Sequence, residues 1–190
     1  MPIADHDRSC AVAAASSGRM GVALGFGLAL ALSLCGLGSS SALAQDFGQA
    51  RVMADVLMAH NQIRAAANVP PMTWNARLAE GAARWAEHLA QSGYMMHSQS
   101  KEGENIWMGT SGAFSHALMV RDWANEGRFY RAGYFPHISS TGDWRDVGHF
   151  TQMVWRDTRQ LGCAIASRDG WDVLVCRYNS PGNVVGKRPY

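Results

Sequence analysis

The sequence has no basic block and little excess of either charge. Its 17 Lys and Arg stand against 15 Asp and Glu, a formal net charge of +2. Without a basic run or a basic helix face, nucleic acid is not an expected partner. His-Glu-x-x-His and Cys-x-x-Cys are both missing, so neither compact metal motif is present. Cysteine is scarce at four in 190 residues, and two of the four, Cys10 and Cys35, lie in an N-terminal stretch unlike the remainder. Beyond residue 44 there is no internal repeat and no low-complexity segment.

The long apolar run is at the start. Met20 to Cys35, MGVALGFGLALALSLC, carries no charge; Arg8 and Arg19 precede it and Ser39-Ser40-Ser41-Ala42-Leu43-Ala44 follows. A basic lead, an apolar core and an Ala-x-Ala ending read as a secretory signal peptide over residues 1–44, with an extended basic region and cleavage after Ala44. Leu34 stands where lipidation of Cys35 would call for a small residue, so an unlipidated product is expected. Residues 45–190 then form a single domain, long enough for one hydrophobic core. The expected location is extracellular or periplasmic, with no stable membrane insertion once the leader is removed. Only Cys163 and Cys176 remain, and an even pair in an exported chain predicts one disulfide.

Helical patterning dominates the first half of this domain. Phe47 to Ala67 places Val52, Val56, His60 and Ile63 on one stripe, ending at Pro70-Pro71. His60 on that stripe reads as a packed histidine with a backbone partner. Asn75 is placed to cap a second helix with a face of Leu78, Ala82, Trp85, Ala86 and Leu89, and Gly93 to stop it. Glu80 and Arg84 form an i,i+4 pair on its wet side. Ser115 caps a third helix, with Leu118, Met119, Asp122, Trp123 and Glu126 on or near one side. Gly133 to Val147 is irregular and rich in aromatics. Trp74, Trp85, Trp107 and Trp155 read as core, and Lys187 and Arg188 as solvent-facing.

The C-terminal part predicts a β-hairpin, LGCAIAS and WDVLVCRY around an Asp169-Gly170 turn. A two-residue turn there sets a register in which Cys163 faces Cys176, at the separation a disulfide needs. Such a link closes a short loop and is worth about 3 kcal/mol on the chain-entropy account. Ile165 and Leu174 share the cysteine face; Ala164, Ala166, Val173 and Val175 take the other. Both faces are apolar, so both need cover, which predicts helices above and below a small sheet.

Four residues stand out as candidates for chemistry: His97 in a loop, Glu104 before an apolar turn, Glu126 beside Trp123, and His149 ahead of FTQMVW. A carboxylate entering a core is costly unless paired. Two imidazoles and two carboxylates converging from separate elements would satisfy one another, or would hold a divalent metal such as zinc. Spacing alone does not bring them together; separate, individually satisfied side chains remain the other reading.

GHFTQMVWRDT (Gly148 to Thr158) and VLVCRYNSPGNV (Val173 to Val184) resemble the two signatures of the CAP superfamily, the cysteine-rich secretory, antigen 5 and pathogenesis-related class 1 proteins. AHNQIR, MTWN, GEN and the terminal GKRPY are similar to other family segments in the right order. The pattern is nearest to the single-domain pathogenesis-related form, with no cysteine-rich C-terminal domain. The resemblance implies an α+β fold, a three-layer α-β-α sandwich around a small, mainly antiparallel sheet. It also implies a cleft carrying His97, Glu104, Glu126 and His149. Ser180 stands where proline is frequent, and Val147 where plant members carry a cysteine. The Gly133 to Val147 loop is therefore expected to lack a disulfide anchor.

The function so implied is a secreted binding or interaction protein. Its His/Glu cleft would take zinc or another divalent metal, a nearby groove would take a sterol or fatty acid, and an envelope or host component would be its partner. Hydrolysis of peptide or ester bonds, with Glu104 or Glu126 activating a metal-bound water, is the enzymatic alternative. A structural domain whose polar tetrad satisfies itself is the third. Ser98 as a nucleophile with His149 as base is disfavoured, because no sharp turn presents Ser98.

Overall fold

A computed structural model describes residues 39–190; most of the expected leader, residues 1–38, lies outside them. Helix α1 spans Ser39–Ala66, so it begins ahead of Phe47 and runs through Ala44. Ala42, Leu43 and Ala44 are strong helix formers, which accounts for the extension. Strand β1 (Thr73–Trp74) leads into α2 (Ala76–Ser92). Both predicted ends of α2 are present. The Asn75 side chain accepts from the Leu78 N–H, and Gly93, at φ 71°, donates to the Leu89 carbonyl.

Strand β2 (Gly103–Thr110) is followed by α3 (His116–Asn125), whose first turn is capped by the Ser115 side chain. A 3-10 turn (Glu126–Phe129), a long irregular segment and a second 3-10 turn (Trp144–Val147) lead to the short helix α4 (Gly148–Met153). Strands β3 (Gln160–Arg168) and β4 (Trp171–Asn179) form the hairpin. Its turn residues Asp169 and Gly170 both have positive φ, 50° and 82°, as a two-residue hairpin loop of this kind requires. Cys163 pairs with Cys176 across the strands and the two are disulfide-bonded.

The sheet order is β1-β3-β4-β2; β1 runs parallel to β3 and the other pairs are antiparallel. Cys163, Leu174, Cys176, Tyr178 and Trp107 pack against Val56 of α1 and Met119, Val120 and Trp123 of α3. On the opposite face, Ala164, Val173, Val175 and Ile106 meet Ala82, Ala86 and Leu89 of α2. Two apolar sheet faces thus have two helical covers, the expected α-β-α sandwich. Among the described residues no helix is long and apolar enough to cross a membrane.

Two expectations need correction in detail, and a third holds with an addition. Leu118 is exposed and Val120 is buried in its place, while Met119 and Trp123 are buried as expected. Trp74 and Trp85 are half-buried at the edges of the two cores, whereas Trp107 and Trp155 are buried. The irregular segment has no disulfide, yet it is anchored. Phe135 exchanges backbone bonds with Lys187 (2.8 Å) and Gly186 (2.9 Å), Tyr190 stacks on Tyr130, and the exposed Arg188 lies over the Tyr134 ring. Phe135, Ile138, Val147 and Trp155 form a third small core beneath it.

Candidate functional site

A cleft of about 600 Å3 opens at one end of the sheet, and His97, Glu104 and His149 line it together with Phe135 and Trp144. Glu126 stands behind His149. The four sequence-predicted residues are therefore brought to one place, as two His–Glu pairs rather than one cluster.

The first pair joins a loop to a strand. His97 Nδ1 lies 3.0 Å from Glu104 Oε1, and since a carboxylate can only accept, Nδ1 is the donor. Glu104 also accepts the Ser98 N–H (2.8 Å) and the Ser98 hydroxyl (2.6 Å). Its side chain is 5% exposed, while that of His97 is 63% exposed. Burial is the largest influence on Glu104 and pushes its pKa up. The hydrogen bonds from His97 and Ser98 outweigh burial and hold the carboxyl below its ordinary value. The Ser98 hydroxyl is committed to Glu104, so it is not aligned with His149 as a nucleophile.

The second pair is built at the start of α4. Glu126 Oε1 lies 2.6 Å from His149 Nδ1, and Oε2 accepts the N–H groups of His149 (2.9 Å) and Phe150 (3.2 Å). Those amides belong to the first turn of a helix, where no backbone acceptor is available. Trp123 stacks on the His149 ring, with centroids 6.0 Å apart. Both carboxylates thus grip an imidazole Nδ1–H and the peptide N–H that follows the histidine. Nε2 is the nitrogen left out of that grip in each ring.

Alternation along β2 ties the halves together. Glu104 points to the α2 layer and Asn105 to the other layer, where its side chain donates to the His149 carbonyl (3.1 Å). Asn105 therefore bonds backbone in the second half rather than lying only beside Glu104. Gly103 permits the close approach: a Cβ there would strike the Gln152 carboxamide, whose Oε1 accepts the Gly182 N–H. His60 lies apart, fully buried, between the Val56 carbonyl (2.8 Å) and the Tyr178 hydroxyl (2.9 Å). It is the packed histidine expected, with its pKa lowered to about 4 chiefly by burial.

Sequence reasoning missed Arg64, which fixes α4 from behind. Its buried guanidinium donates to the carbonyls of Pro70, Met153, Trp155 and Thr158 at 2.7–2.9 Å. Burial lowers its pKa to about 10. Its place one turn after His60 on the apolar stripe was the available signal. Glu102 was also missed; it lines the cleft and pairs with Arg177 at 3.0 Å.

Residues 57–178 match the model of CAP, the cysteine-rich secretory protein family. The chain is 38% identical to pathogenesis-related protein 1C of Nicotiana tabacum over 138 residues, 72% of this chain and 79% of that protein. It is 37% identical to pathogenesis-related protein PRMS of Zea mays over 139 residues, 72% of this chain and 81% of that protein. Among solved structures, NaASP2 with Zn2+ shares the fold at a TM-score of 0.62 and 24% identity, over 74% of this chain and 85% of that one. BmVAL-1 does so at 0.61 and 22%, over 74% and 82%. With a match across most of its described length and the expected sandwich in place, this chain belongs to the CAP family.

Proposed function

We propose that this protein is a secreted binding protein whose cleft takes a divalent cation, zinc by preference, through Nε2 of His97 and of His149. One observation supports this above others: each cleft imidazole is oriented by a carboxylate on Nδ1. That is the arrangement by which a carboxylate behind the ring fixes the tautomer and raises the basicity of a metal-binding histidine. Among the described residues, no group of three or more His, Cys, Asp or Glu side chains is arranged to hold a metal. The proposed site therefore uses two imidazoles, with water completing the shell, and Glu104 and Glu126 act as orienting groups. Zinc accepts nitrogen donors readily in this role. The Zn2+ in the NaASP2 crystal structure agrees with that choice. A bound cation would supply a Lewis-acidic centre facing the apolar wall of Phe135 and Trp144, which pack edge to face at 5.1 Å.

Binding is favoured over hydrolysis because both carboxylates already accept from an imidazole and from peptide N–H groups. Neither is left as a free base for a water. Calorimetry with zinc chloride tests the reading. His97→Ala and His149→Ala should each weaken binding by about tenfold or more while circular dichroism stays unchanged. Equal affinity in wild type and both variants rejects it. Turnover of peptide or ester substrates that disappears in Glu104→Gln would restore the hydrolase.

A further inference from the structure

We infer that Arg177, from strand β4, is the positioning residue for the His97 half of the cleft, seated in a gap that Gly81 leaves in helix α2. This rests on the cation-binding reading for its functional meaning, but its geometry stands independently. Arg177 is the cross-strand partner of Glu104 in the β2–β4 pairing, so the two side chains share one sheet face. Its guanidinium spans both ends of the segment that carries the site. Nη1 donates to Glu102 at 3.0 Å, Nη2 donates to the Ser98 hydroxyl at 3.2 Å, and Nη2 lies 3.7 Å from Glu104.

The side chain is 13% exposed, and its Nε is buried with no partner, so the seat is built around the two terminal nitrogens. That seat exists because α2 has no side chain at residue 81. A Cβ there would stand 3.1 Å from Nη1 and 3.5 Å from Cδ and Cζ. Arg177 thereby directs the Ser98 hydroxyl proton onto Glu104, since the guanidinium can only donate to that oxygen. Ser98 and Glu104 in turn fix the acceptor that His97 Nδ1 meets. Lysine has no planar fork and cannot serve Glu102 and Ser98 in the same geometry.

The test reads the imidazole rather than stability. Nitrogen-15 spectra of the histidine rings report tautomer and hydrogen bonding for each residue separately. In Arg177→Met, the His97 signals should move toward a mixture of tautomers while those of His149 stay in place. Zinc affinity should fall by about tenfold, and Arg177→Lys should recover part of both. Gly81→Ala serves if Arg177→Met does not fold. It adds a favourable helix residue yet crowds Nη1, so the His97 signals should shift in a variant that still folds. Unchanged His97 signals in a folded Arg177→Met or in Gly81→Ala overturn the inference. A wild type that binds no zinc, with His97 signals that still follow Arg177, rejects the cation reading and supports the positioning role.

Discussion

The two halves of the cleft reach the same hydrogen-bond pattern from different backbones. In the His97 half the acid is on a strand and almost fully buried, while the imidazole stands on an open loop. In the His149 half the acid sits in a 3-10 turn and is 23% exposed, and the imidazole is sheltered under Trp123. The more buried carboxylate has the denser set of donors: an imidazole, an amide, a hydroxyl and a guanidinium nearby. The less buried one manages with an imidazole and two amides that a helix start offers in any case. Burial sets how many partners a carboxylate needs, and the local backbone sets where they come from.

The sharpest way to break the comparison is to delete each acid in turn. Glu104→Ala removes one member of a buried charged network and leaves the Ser98 hydroxyl, the Ser98 amide and the His97 Nδ1–H without their acceptor. Such losses cost about 3–5 kcal/mol. Glu126→Ala frees two amides close to solvent, which water can reach, and should cost about 1–3 kcal/mol. Urea unfolding of the two variants beside wild type measures the difference; a larger loss for Glu126→Ala would reverse the ranking by burial.

His60 supplies a third imidazole at the opposite limit. Its Nδ1 meets a carbonyl instead of a carboxylate and its Nε2 is used by Tyr178, so it has no nitrogen to offer a ligand. Its folded pKa, about 4, lies below the ordinary 6.5. Between these values the unfolded chain takes up a proton that the folded chain refuses, so stability falls as pH drops through that window. The total is about 3 kcal/mol. Urea midpoints at pH 4 to 7 should show this slope in wild type and lose it in His60→Gln. An identical slope in both assigns the acid sensitivity elsewhere.

What could be read in the sequence divides along the same lines as the two halves. Asn75, Gly93, Ser115 and the Asp169-Gly170 turn act on neighbours in the chain, so local rules located them, and the turn register alone put Cys163 opposite Cys176. His97, Glu104, Glu126 and His149 were another matter. Nothing in their spacing brings residues 97 and 104 to the same cleft as 126 and 149, and only resemblance to a family assembled them. Arg177 was invisible because its meaning depends on a missing side chain at Gly81, nearly a hundred residues earlier. The anchoring of the Gly133 to Val147 segment was missed for a similar reason. A disulfide was the feature sought, whereas the terminal residues do the holding.

Acid pH tests the donor set around Glu104. The Glu104 carboxyl is held below its ordinary 4.5, so its contribution is complete above that value and is lost as pH falls through the folded pKa. The stability gap between wild type and Glu104→Gln should be constant from neutral pH down to about 5 and then close on further acidification. A gap that widens toward low pH would mean that the buried carboxyl prefers its proton.

The smallest effect separates the halves most cleanly. The irregular segment supports the His149 side, where Trp144 packs against Gly148 and Phe135. Arg188, with its guanidinium 4.4 Å from the Tyr134 ring centroid, holds that segment from the tail. An exposed contact of this type is worth about 0.5–1 kcal/mol. Arg188→Ala should therefore barely move the urea midpoint, yet shift the ring signals of His149 and leave those of His97 unchanged. Equal shifts in both histidines would mean that the coupling through Asn105, from β2 to the His149 carbonyl, is stiff enough to make the two halves respond as one.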